Sequence, residues 1–203
     1  MSTHRFDEVD VFSAVPLKGN PLAVVHGAAD LSDETRAFVA GYISHLVFDE
    51  QYITGMYRRY FAQHEALGGQ MRANVMDRLL QFDLDRTYCN DEALKGEICA
   101  ALAGTVTGIA VGFIDAETLD RWRKVSADVI ARQMDWDRMR GMITNHLRFG
   151  GLEEGESMST FLDSLPELLD ETVARITSIE IDAFVGRATE TAARAVENYL
   201  TCG

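Results

Sequence analysis

The chain has 203 residues, 47% of them hydrophobic, too apolar for a disordered protein and long enough for one domain with at most a small appendage. Its 19 basic and 32 acidic side chains leave a formal net charge of -13, a surface that repels phosphate and argues against nucleic acid or anionic membrane as partner. Cys89, Cys99 and Cys202 show neither zinc-knuckle nor redox spacing and read as free thiols of a reducing compartment. The opening MSTHRFDEVD has no apolar signal core, so a cytoplasmic location is expected.

In chain order, RFDEVDVF at 5–12 alternates Val9 and Val11 with Glu8 and Asp10 and predicts a strand. Pro16, Gly19, Asn20 and Pro21 mark a loop, and Leu22–Val25 predicts a second strand. At Ser32 the apolar period becomes helical. Ser32 is a suitable N-cap, Asp33 and Glu34 suit the positive end of a helix dipole, and Phe38, Tyr42, Ile43, Leu46 and Val47 share a face. Asp49 is expected to open a second helix with Ile53, Met56, Tyr57, Tyr60, Phe61, His64 and Leu67 on one stripe, ended by Gly68 and Gly69. A third helix carries Met71, Val75, Leu79 and Phe82.

Asn90 is the expected cap of a fourth helix, with Leu94, Ile98, Leu102, Val106, Ile109 and Phe113 as its apolar side. Asp115 should cap a fifth, carrying the apolar Leu119, Trp122, Val125, Val129 and Ile130, and a sixth holds Met139, Met142, Ile143 and Leu147. Gly150, Gly151 and Gly155 suggest a hinge. Pro166 opens a final segment, Leu165 to Leu200, as one helix or as two broken near Thr177 and Ser178. The uncharged run from Ile98 to Ile114 falls short of the ~20 residues a membrane span needs and reads as buried; helix pitch and strand composition both fit it.

The pattern predicts a mostly α protein: a bundle of about six to eight helices after a short ββα unit. The expected parts are residues 1–30, a helical region 31–150, and a C-terminal helical segment 156–203.

The pieces VDVF, PLKGNPLAVV from Pro16 to Val25, and LSDE from Leu31 to Glu34 resemble the start of the PhzF-like isomerases and epimerases of phenazine biosynthesis, over residues 5–34 only. That resemblance implies a strand, loop, strand and helix start, and a cofactor-independent chemistry in which a carboxylic acid moves a proton on carbon. The Ser-Glu-Thr and Gly-His-Pro segments of that family have no counterpart here. Glu34 and Glu50 are the nearby carboxylates, and neither stands in the motif.

The segment DEQYITGMYRRYFAQHEALGG resembles the proximal-histidine helix of protoglobin-type haem sensors, which would make His64 a haem ligand within a pocket shared with Tyr57 and Tyr60. A core or boundary histidine is the plainer expectation, with no cofactor and no metal. Gly96, Ala100, Gly104, Gly108 and Gly112 recur every fourth residue. On a helix they would form a groove that brings Gly104 and Gly108 against a neighbouring helix, a partner or a flat ligand. His146 reads as a helix C-terminal cap, and Asp83, Asp85, Asp135 and Asp137 as capping or solvated carboxylates.

The function expected is therefore non-catalytic binding of a ligand or partner, of sensor or regulator type, with self-association through the C-terminal helix. A PhzF-like isomerase and a haem sensor are the alternatives.

Overall fold

The structure, a computed structural model, describes residues 6–11, 20–25, 32–89, 91–103, 114–149 and 156–202. It is mostly helical. Strands β1 (Phe6–Val11) and β2 (Asn20–Val25) pair antiparallel, Phe6 opposite Val25 and Val11 opposite Asn20. Eight α-helices follow among the described residues: α1 Asp33–Tyr52, α2 Gln70–Cys89, α3 Glu92–Leu102, α4 Ala116–Ala131, α5 Trp136–Phe149, α6 Glu156–Asp163, α7 Leu165–Arg175 and α8 Ser178–Cys202. The expected joining of the strands to the first helix, and most of the uncharged run, fall on residues outside the described ones. Among the described residues no helix is long and apolar enough to cross a membrane.

Contacts group the chain into two compact units that alternate along it, 1–51 with 106–121 and 187–203, and 52–105 with 122–186. In the first, Ser32 caps α1 through Thr35 N–H, which donates to Ser32 Oγ at 3.3 Å. Thr35, Ala40, Leu119, Ala188 and Ala192 are buried there. One of the last carbonyls of α8, at Leu200, accepts from Arg36 at 3.2 Å, filling a need that every helix end has.

The second unit is organised around α2, which packs against α3, α5, α7 and the segment preceding it. Ala73, Val75, Met76, Leu79, Leu80 and Phe82 are each at most 2% exposed, so α2 is buried over most of its circumference rather than along one stripe. α7 buries Leu165, Leu168, Leu169 and Thr172, the spacing of one helical face, and the Thr172 hydroxyl donates to the Leu168 carbonyl at 2.7 Å. Each large apolar side chain so buried contributes about 1.5–3 kcal/mol.

Helix starts follow local chemistry. Asp115 accepts from Thr118 N–H at 2.7 Å, as its position predicts. The break at Thr177 is a capping box: Glu180 N–H donates to Thr177 Oγ1 at 3.2 Å, and Thr177 N–H donates to Glu180 Oε2 at 3.1 Å. Pro166 lies in the first turn of α7, where its missing N–H costs nothing.

Several expectations are corrected. No helix starts at Asp49, because α1 runs through it to Tyr52 and continues as a π-helix, Ile53–Phe61. His64 does not ride on that helix but sits in a separate 3-10 turn, His64–Leu67. Asp91, not Asn90, caps α3, accepting from Ala93 and Leu94 N–H. The apolar face of α4 does not all turn inward: Leu119 is buried, but Trp122 is 54% exposed, Val125 56% and Val129 43%. Met71 and Met142 are exposed as well.

Candidate functional site

Because α2 is surrounded by other elements, a polar residue on it is drawn inside. Asp77, 7% exposed, stands among Val75, Met76, Leu79 and Leu80. Its two oxygens are satisfied separately: the Tyr52 hydroxyl donates to Oδ1 at 2.7 Å and Gln81 Nε2 to Oδ2 at 3.0 Å. Burial pushes the Asp77 carboxyl above its usual value, while the Tyr52 bond, the Arg78 charge, the Gln81 bond and His146 hold it down. Burial, then the neighbouring Asp77 charge, pushes the Tyr52 phenol up. The Tyr52 ring meets Phe184 edge-on at 5.7 Å.

Beside this cluster a groove of about 400 Å³ lies between α2 and α5. Its floor is apolar: Phe82, Met134, Met139 and Ile143. Its rim is polar, with Arg78, Gln81 and Asp85 from α2 and Asn145 and His146 from α5. Helical spacing explains the pairing of types, since Arg78, Gln81, Phe82 and Asp85 recur on one face of α2 and Met139, Met142, Ile143 and His146 on one face of α5. Phe82 packs on Trp136, ring centres 5.3 Å apart, which fixes one end of the floor. Arg78 donates to Gln81 Oε1 at 2.9 Å, so Gln81 joins the rim to the buried Asp77. Partial burial raises the Asp85 carboxyl, against the Arg138 charge.

The π-helix forms a second polar cluster. Tyr60 donates to Glu180 Oε1 at 2.5 Å and Arg59 pairs with the same oxygen at 2.8 Å. The Tyr60 bond, the Thr177 bonds and the Arg59 charge together lower the Glu180 carboxyl to about 2. A π-helix this long is uncommon, and such segments gather at functional sites.

The residues singled out from sequence are distributed as follows. Glu34 and Glu50 are both exposed on α1, about 24 Å apart along its axis at ~1.5 Å rise per residue, too far to act on one reacting atom. Tyr57 and His64 do come together, the hydroxyl 3.4 Å from Nε2, and His64 with Gln63, Glu65 and Gln70 lines an open concavity that Tyr57 does not line. Tyr60 turns instead to Glu180. Gly104 and Gly108 lie outside the described residues. None of these lines the groove between α2 and α5. Asp77, Tyr52 and Arg78 were not singled out; the available signal was an aspartate inside the apolar run of α2. His146, read as a cap, is in the last turn of α5 and on the groove rim. Among the described residues no group of three or more metal-ligating side chains occurs.

The chain matches no family model, no curated protein and no solved structure.

Proposed function

We propose that this is a non-catalytic helical binding protein of sensor or regulator type, and that the groove between α2 and α5 receives a small amphiphilic ligand. The observation that carries the reading is the composition of that groove: an apolar floor under a rim of hydrogen-bonding groups, at about 400 Å³, within the ~300–1,000 Å³ typical of small-molecule sites. Its methionines can adapt to an irregular ligand surface. Binding is favoured over chemistry because Arg78 and Gln81 on the rim, with the buried Asp77 and Tyr52 beside it, are already engaged with one another. Gln81 both donates to Asp77 and accepts from Arg78, and Tyr52 is spent on Asp77.

Titration with anilinonaphthalene sulfonate, a fluorescent amphiphile, tests it. Saturable one-to-one binding to cooperatively folded protein is expected. Asn145→Trp, which fills the mouth, and Arg78→Glu, which reverses the charge at the rim, should each weaken it roughly tenfold or more. No saturable binding, or binding indifferent to both substitutions, ends the proposal.

The PhzF-like isomerase is a second reading. What supports it is the antiparallel pairing of β1 with β2 and the start of α1 at Asp33, inside the LSDE segment that carries the resemblance. Its test is proton exchange with solvent deuterium at a substrate carbon, abolished by Glu34→Gln or Glu50→Gln. The haem reading rests on the sequence likeness around His64, and a Soret band lost in His64→Ala tests it.

A further inference from the structure

Trp122, Val125 and Val129 follow one another at intervals of three and four residues, which places them within about a sixth of a turn of one another on α4 at ~3.6 residues per turn, and Arg132 comes three residues later, just past the helix end. All four are exposed, the indole by 54%. An apolar stripe capped by an indole is costly to leave in water and is the composition of an interface centre. Beside the stripe, between α4 and α5, lies a concavity of about 850 Å³ walled by Val125, Val129, Arg132 and the half-exposed Met142.

We propose that the occupant of this face is a second copy of the same chain, bound through antiparallel pairing of the two α4 helices about a two-fold axis beside Ala127. The spacing is self-complementary about that point. Val125 of each copy meets the partner's Val129, and Trp122 of each copy reaches the level of the partner's Arg132. There the indole enters the concavity and lies against the guanidinium, a cation–π pairing made twice by symmetry. Charge supports a like partner at this place. The chain carries -13 overall, yet the acidic Asp128 and Asp135 around the concavity are matched by Arg132 and Arg138. Two copies therefore approach here without the repulsion that their remaining surfaces impose. A contact built on one helix face falls below about 1,200 Å² in total, so association in the micromolar range is expected. The C-terminal helix offers less: its exposed large apolar residues, Ile179 and Leu200, stand near its opposite ends.

Sedimentation velocity of the full chain across micromolar concentrations tests the assignment. A concentration-dependent dimer is expected. Val129→Glu, which places a charge at the centre of the contact, should leave a monomer with unchanged far-ultraviolet circular dichroism, because the side chain is exposed. Trp122→Ala should raise the dissociation constant roughly tenfold or more. With Trp136 replaced by Phe, Trp122 is the sole tryptophan, and its emission should move to the blue as the dimer forms. Leu200→Glu should leave the dimer intact. A wild-type chain that stays monomeric, a dimer that survives Val129→Glu, or one dispersed by Leu200→Glu overturns the proposal.

Discussion

The Tyr52 hydroxyl donates a 2.7 Å hydrogen bond to Asp77 Oδ1 and so ties Tyr52 to α2, the most buried helix of the unit that contains both residues. Tyr52→Phe removes the donor and leaves a buried carboxylate oxygen unsatisfied. A loss of about 1–3 kcal/mol is expected, measured by denaturant unfolding. Phe184, which rests on the same ring, should still pack against the phenyl group, so the loss reports the hydroxyl.

The same carboxyl sets a pH dependence. Burial raises the Asp77 pKa in the folded chain above its ordinary 3.8. The folded state therefore holds this proton more tightly than the unfolded state. The Asp77 contribution to stability is highest below 3.8, falls as pH rises from there through the raised folded value, and is flat above it. Asp77→Asn should abolish that slope in unfolding free energies measured against pH. Tyr52→Phe should carry the decline to higher pH, because the Tyr52 bond is one of the influences holding the pKa down.

Glu180 has the opposite sign. Its folded pKa is lowered from 4.5 to about 2, so its contribution is complete above 4.5 and is lost as pH falls from there toward 2. Glu180→Gln should remove that acid sensitivity while retaining part of the capping box, and Glu180→Ala should lose both. Thr177→Ala, which removes the reciprocal cap, should cost about 0.5–2 kcal/mol in thermal or denaturant unfolding.

Two glycine-to-alanine substitutions should act in opposite directions. Gly68 ends the His64–Leu67 turn at φ +89°, and a Cβ there would lie 2.9 Å from the Arg72 Cδ, on the side chain that pairs with Glu171. Gly68→Ala should destabilise by about 1–2 kcal/mol from backbone strain, before any displacement of Arg72. Gly186 lies within α8 with open space around its Cβ direction. Gly186→Ala should stabilise by about 0.5–1 kcal/mol.

Met139 is 2% exposed on the groove floor. Met139→Ala should lower the unfolding free energy by about 2–5 kcal/mol and enlarge the floor. A bulkier amphiphile should recover part of that stability in a concentration-dependent melting shift, as a ligand of the folded state must.

Much of the helical content was readable because it depends on local rules. Ser32 and Asp115 as caps, Pro166 in a first turn and the break at Thr177 each follow from groups within a few residues of one another. What was not readable depends on neighbours distant in sequence. Periodicity marks an apolar stripe on α4 but does not reveal that Leu119 finds a covering and Trp122 does not. It shows Asp77 among apolar residues but not that Tyr52 and Gln81 supply both of its hydrogen bonds. The π-helix ends at Phe61 and the backbone leaves helical geometry at Gln63, which is why His64, placed on the Tyr57–Tyr60 stripe by uniform helical spacing, stands in a turn of its own.

The shared carboxylate of Glu180 has a kinetic consequence. One oxygen closes the first turn of α8 and the other grips Tyr60 and Arg59, so fraying at either place strips support from the other. Amide protons of Ile53–Phe61 and of the turn after Thr177 should exchange with solvent deuterium as one opening event, at a common rate. Severing that anchor should split them into two populations that exchange independently.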